Sequence, residues 1–252
     1  MPRIALLIEY NGTQFVGWQA QANLRSAQAE LEKALSKIAQ EPITVFCAGR
    51  TDRGVHAIGQ VVHFDTSAVR PLYGWLLGAN SYMASDIVIK AIEQVDDSFH
   101  ARFSAIKRSY RYLIANQPRR SAVHAGLVTW YHRPLNESLM HKAAQTLVGT
   151  HDFTALRATG CQAKSPIRTM HHLNVSREGS QIIIDVCANA FLHHMVRNIA
   201  GLLLEIGTGD RPHAWVEQVL LSKDRNVAGI TAPPDGLYLT EISYHKPIFT
   251  SS

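Results

Sequence analysis

The chain has 252 residues, 46% of them apolar, enough for one large domain or two ordinary ones with a substantial core. A formal net charge of +5 and a pI ≈ 9.2 lean toward polyanionic partners such as RNA or DNA. The three cysteines, Cys47, Cys161 and Cys187, form no C-x-x-C pair, which argues against a disulfide framework or a thiolate zinc site; no stretch approaches a membrane span, so a cytoplasmic protein is expected.

Residues 4–10 alternate and are rich in strand formers. Ser26 can cap a helix on which Ala27, Leu31, Ala34, Leu35 and Ile38 recur on one face. Two short apolar runs, 43–47 and 60–64, read as strands, then residues 72–83 as a helix and 87–92 as a strand. This order is β-α-β-β-α-β. Residues 93–107 carry charge and turn formers without a period. From Arg108 the plan returns: strand 108–115, helix 138–148, strands 168–176 and 181–188, a long helix 191–206, a shorter one 213–221 and a closing strand 237–244. The expectation is an α+β chain of two tandem halves, 1–105 and 106–252, each an antiparallel sheet with helices on one face, with a groove between them suited to a long ligand.

Between the first half's two middle strands lies the densest polar run, Arg50-Thr51-Asp52-Arg53-Gly54-Val55-His56. An Asp flanked by two arginines is expected to be held between them and to stay ionised, ready to serve as nucleophile, base or electrostatic stabiliser. In Arg108-Ser109-Tyr110-Arg111-Tyr112-Leu113, strand alternation puts Arg108, Tyr110 and Tyr112 on one face. Such a face either stacks unpaired bases or supplies half-buried β residues to a core. The long helix, with His193-His194-Met195-Val196-Arg197 near its start, is apolar nearly all round and should be buried. Its Arg197 then needs an anionic or carbonyl partner, with Asp52 as one candidate. The histidines have no H-x-x-x-H spacing with an adjacent Glu, so no metal is expected. Gly12-Thr13-Gln14-Phe15-Val16-Gly17 has the glycine spacing of a phosphate-binding loop, but Trp18 and Gln19 replace its Lys and Ser/Thr.

Taken in order, Gly17-Trp18-Gln19-x-Gln21, Arg50-Thr51-Asp52-x-Gly54-Val55-His56, Gly59-Gln60-Val61-Val62-His63-Phe64, Tyr110, Asn189-Ala190-Phe191-Leu192-His193-His194-Met195-Val196-Arg197 and Ala232-Pro233-Pro234-x-Gly236-Leu237 resemble the TruA family of tRNA pseudouridine synthases, over nearly the whole chain. The resemblance implies two ferredoxin-like halves with a catalytic cleft between them, a homodimer and a tRNA substrate. It also implies isomerisation of uridine at positions 38, 39 and 40 of the anticodon stem and loop. Asp52 would be the catalytic carboxylate, Tyr110 would stack on the target uracil and Arg197 would pair with Asp52. Arg50, Arg53 and Leu237 are read as substrate-binding. Arg53 departs from the family pattern, which has Ala there, and adds a cation that could engage a phosphate. The reaction breaks N1–C1′, rotates the uracil and joins C5 to C1′, so no cofactor is needed. Asp52 could attack C1′ as nucleophile or remove a ribose proton, and the residues leave both routes open. A non-catalytic RNA-binding protein using the sheets as a stacking platform is the reading from another class.

Overall fold

The computed structural model describes residues 1–249. The chain is a mixed α+β protein that divides into two compact units, the first built from Met1–Ile106 together with the chain from Tyr238 onward, the second from Lys107–Leu237. The division after Ile106 falls next to the expected boundary. The final strand differs: it was expected with the second half, but most of it belongs to the first unit, because its backbone pairs with a strand there.

In the first unit, β1 (Arg3–Tyr10), β3 (His56–Asp65) and β4 (Ile87–Val95) form an antiparallel set in the order β4-β1-β3. The two-residue β2 (Phe46–Cys47) pairs antiparallel with β3, and β10 (Leu237–Tyr244) pairs parallel with it through Tyr238 opposite His56 and Leu239 opposite Ala57. Gly59 allows this approach, since a Cβ there would lie 2.1 Å from the Thr240 carbonyl oxygen. Helix α1 (Ala27–Ala39) starts where Ser26 Oγ accepts the Ala29 amide at 3.3 Å, and of the face the periodicity predicts it buries Ala27, Leu31, Ala34 and Leu35 and leaves Ile38 half-buried. It packs against α2 (Leu72–Tyr82). The strand expected at 43–47 shrinks to β2 because side chains of α1 take its first amides: Ser36 Oγ accepts Ile43 N at 2.9 Å and Glu32 Oε1 accepts Val45 N at 3.0 Å. Ile43 and Val45 are nonetheless buried.

In the second unit, β5 (Ala105–Asn116), β9 (Gln181–Ala188), β8 (Ile167–Glu178) and β7 (Gly149–Asp152) pair antiparallel in the order β5-β9-β8-β7, and the short β6 (Thr129–Tyr131) lies parallel to β5. β6 and β7, with three and four residues, are too short to show a period in sequence. Helix α3 (Glu137–Gln145) begins one residue before its expected start, because Asn136 Oδ1 accepts Leu139 N at 3.0 Å. Helix α4 (Met195–Gly207) begins four residues later than expected: His194 has φ 60, a left-handed conformation that a continuing helix cannot contain. Arg197 and Glu205 are its only residues not buried, which bears out the buried-helix reading. Helix α5 (Trp215–Ser222) follows. No helix among the described residues is long and apolar enough to cross a membrane.

Candidate active site

The Asp52 loop of the first unit joins β2 to β3, and the chain from Tyr10 to Trp18 holds it. Tyr10, closing β1, places its hydroxyl 2.8 Å from Thr51 Oγ1 in a buried contact. Trp18 N donates to the Thr51 carbonyl at 3.0 Å, and Gly54 N to the Phe15 carbonyl at 3.3 Å. The loop closes on itself where Val55 N donates to the Asp52 carbonyl at 3.1 Å, with Gly54 at φ 78. Such a turn requires a positive φ at its third residue, which glycine adopts without strain. Gly12 and Gly17 let the backbones meet, since a Cβ on Gly12 would lie 2.0 Å from the Val55 oxygen and one on Gly17 2.9 Å from the Thr51 oxygen. The glycines that looked like a failed phosphate loop therefore form the seat of the Asp52 loop.

Two further side chains pin this loop. Gln60, fully buried on β3, bonds both the amide and the carbonyl of Gly49, the residue before Arg50. His56, buried, accepts the Gly12 amide on Nδ1 at 3.0 Å, and its ring stacks on Tyr238 of β10 at 4.5 Å between centroids. The phenol of Tyr238 is raised in pKa by burial. Asp52 itself is half-buried on a backbone tied through Thr51, Gly54 and its own carbonyl. Arg50 and Arg53 are exposed, and among the described residues neither is ion-paired with Asp52, so the expected clasp of one acid between two arginines is absent. The bonds that fix the turn run through its backbone and leave both guanidinium groups at the surface.

In the second unit, Tyr110 lies on β5, 9% exposed, with its ring edge-on to Phe191 at 5.0 Å and 83°. Tyr112, two residues on, is fully buried, and its hydroxyl contacts Thr129 Oγ1 at 2.6 Å and donates to the Pro233 carbonyl at 2.8 Å. Burial raises the pKa of this phenol. Of the two readings for this strand face, Tyr112 therefore takes the core one. Arg108 donates to the Asn189 carbonyl at 2.9 Å. Arg197, half-buried on the first turn of α4, donates from Nε to the Ala232 carbonyl at 2.8 Å, and Ala232 N donates back to the Arg197 carbonyl at 3.1 Å. Leu237, 5% exposed, opens β10 behind Gly236, where a Cβ would lie 2.2 Å from the Leu113 oxygen.

Sequence reasoning missed Tyr10, Gln60 and Asn198 as supports of this machinery. Asn198 is fully buried and its amide spans from the Leu156 carbonyl, 2.8 Å from Nδ2, to Thr231 Oγ1, 2.7 Å from Oδ1. A polar residue on an otherwise apolar helix is a readable signal that a partner exists. Which partner it finds is not readable.

A family model described as tRNA pseudouridine synthase matches residues 6–104 and 143–245. The chain is 54% identical over 242 residues to tRNA pseudouridine synthase A of Shewanella denitrificans, covering 96% of this chain and 93% of that one. It is 55% identical over 243 residues to the protein of that name from Pseudomonas aeruginosa, covering 96% and 85%. The Nitrosococcus oceani protein of the same name is 53% identical over 242 residues, covering 96% and 93%. With matches running through both the Asp52 loop and the Arg197 helix, this chain belongs to the tRNA pseudouridine synthase family.

Proposed function

We propose that this protein isomerises uridine to pseudouridine in tRNA, at positions 38, 39 and 40 of the anticodon stem and loop. Asp52 is the catalytic carboxylate, Arg197 pairs with it and Tyr110 stacks on the target uracil. The observation that carries this reading is the seating of Asp52: a half-buried carboxylate on a turn tied by Trp18, Phe15, Tyr10 and Gln60 is a preorganised group. Rigid placement of a reacting group lowers the barrier more than any solvated hairpin tip could. Hydrolytic glycosidases use two carboxylates, one of them to activate or replace water. A single acid suits an isomerase in which N1–C1′ breaks, the uracil turns, C5–C1′ forms and the C5 proton leaves to solvent while N1 gains one.

The target base must leave its stack, at a cost of a few kcal/mol that packing against an aromatic ring offsets in part. Arg197 keeps the carboxylate oriented. Arg50, Arg53 and Leu237 contact the substrate, the two arginines through phosphates, which suits their exposure. The finer architecture follows the same reading: two ferredoxin-like halves, the first carrying the acid and the second the tyrosine and arginine, acting as a homodimer in the cytoplasm without a cofactor. The β4-β1-β3 order with β2 on β3 supports it for the first unit.

The test uses tRNA carrying tritium at uridine C5. Label released by the protein, and retained with Asp52→Asn at unchanged stability, is the expected result. Label released equally by both would sink the assignment of Asp52, and tRNA binding without release by the unaltered protein would favour the stacking-platform alternative that family membership already disfavours.

A further inference from the structure

The chain from Arg225 to Ala232 is tied to helix α4 at three successive levels. At the first, Ala232 is gripped by the Arg197 Nε on its carbonyl, 2.8 Å, and by the Arg197 carbonyl on its amide, 3.1 Å. At the second, Asn198 Oδ1 accepts from Thr231 Oγ1 at 2.7 Å and from Arg225 Nη2 at 3.1 Å. At the third, Gly201 lets the Ile230 carbonyl lie against the helix, where a Cβ would meet its oxygen at 1.9 Å. The Thr231 hydroxyl sits at the crossing: it donates to Asn198 and accepts from Arg225 Nη2 at 2.7 Å, while Arg225 Nη1 holds the Gly229 carbonyl at 2.7 Å. Asn198 is fully buried and anchored at its other end on the Leu156 carbonyl, so the hydroxyl is fixed to a rigid point.

We propose that Thr231 is a positioning residue for the isomerisation, acting through Ala232 on Arg197. This rests on the reading of Arg197 as the partner of the catalytic acid. A guanidinium is planar and presents its donors in a fixed fork, so holding Nε sets the direction of both Nη groups. Thr231 keeps the Ala232 carbonyl in place to do this. Without that carbonyl the guanidinium can tilt about its other contacts, and a misplacement of about 1 Å can cost up to about a hundredfold in rate.

Thr231→Val removes the hydroxyl at nearly constant volume. The expected result is a kcat for pseudouridine formation lowered about tenfold or more with the KM for tRNA within about twofold, and Thr231→Ser, which keeps the hydroxyl, within about threefold of the unaltered protein. In an Arg197→Lys background, which lacks Nε–H, Thr231→Val should lower kcat by less than about threefold further. An unchanged kcat, a change confined to KM, a serine variant as impaired as valine, or a full additional loss in the Arg197→Lys background would each overturn the proposal. Should Thr231→Val fail to fold, Arg225→Lys is judged by the same kcat, KM and background criteria. Full activity of Arg197→Lys alone would instead remove the role given to Arg197, whereas its loss beside an unaffected Thr231→Val would remove only the role given to Thr231.

Discussion

Tyr10 and Thr51 share a buried contact, hydroxyl to hydroxyl at 2.8 Å, that links the end of β1 to the residue before Asp52. Tyr10→Phe leaves the ring in the core but strips Thr51 of this partner. The expected cost is about 1–2 kcal/mol of stability, since a buried polar group left unpaired loses its desolvation compensation. Turnover should also fall by about tenfold as the loop loosens. Urea denaturation and tritium release on the same preparation measure both.

Gly17 has φ 109 and would bring a Cβ to 2.9 Å from the Thr51 oxygen. Gly17→Ala should therefore lose about 1–3 kcal/mol through backbone strain. Gly160, at φ 80 with nothing within 4 Å of a Cβ, is the control for strain alone. A fall in kcat for Gly17→Ala but not for Gly160→Ala, in the same tritium assay, would tie the effect to the Asp52 loop.

Tyr112→Phe separates core from substrate surface. Its hydroxyl bonds Thr129 and the Pro233 carbonyl in a fully buried site, so the variant should lose about 1–3 kcal/mol in thermal or urea unfolding. The KM for tRNA should stay within about twofold, because the ring itself is retained. A large rise in KM at unchanged stability would return Tyr112 to the stacking surface.

Acid stability should show two windows. Burial, followed by the nearby His100 and Arg3, holds His63 down at about 4 from an ordinary 6.5, and its Nδ1 accepts the Ala101 amide. The folded protein thus keeps His63 neutral where the unfolded chain protonates it, so between pH 6.5 and about 4 stability falls as pH falls, by up to about 1.4 kcal/mol per unit. Asp65 and Asp86 are lowered below 3.8 by hydrogen bonds from Arg3 and Arg25. Their contribution is present above 3.8 and is lost as pH falls through their lowered folded values. His63→Asn, retaining an acceptor for Ala101, should flatten the upper window in urea titrations and leave the Asp86 part of the lower one in place, while Asp65 loses the small lowering that the His63 charge adds to that from Arg3.

How much of this was legible in sequence varies with the distance over which an element is determined. The Arg50-to-His56 run and the caps at Ser26 and Asn136 are local, and the residue types announce them. The late start of α4 depends on a single left-handed residue, His194, which is neither Gly nor Asn and so carries no such announcement. Hydrogen bonds between side chains as far apart as Asn198 and Thr231 leave no period in the chain. The guanidinium clasp expected around Asp52 is not found among the described residues, where Arg50 and Arg53 are exposed, because sequence neighbours need not share a contact.

The parallel pairing of β10 with β3 has a consequence for biogenesis. Residues 1–106 leave the ribosome before any of Lys107–Leu237, but the strand that pairs with β3 through His56 and Ala57 is made only after all of it. The ring that stacks on His56, beside the Asp52 loop, arrives with that strand. Since domains fold as they emerge during synthesis, the nascent first unit waits one strand short, and its acid-bearing loop gains the Tyr238 ring only after the second unit has been made.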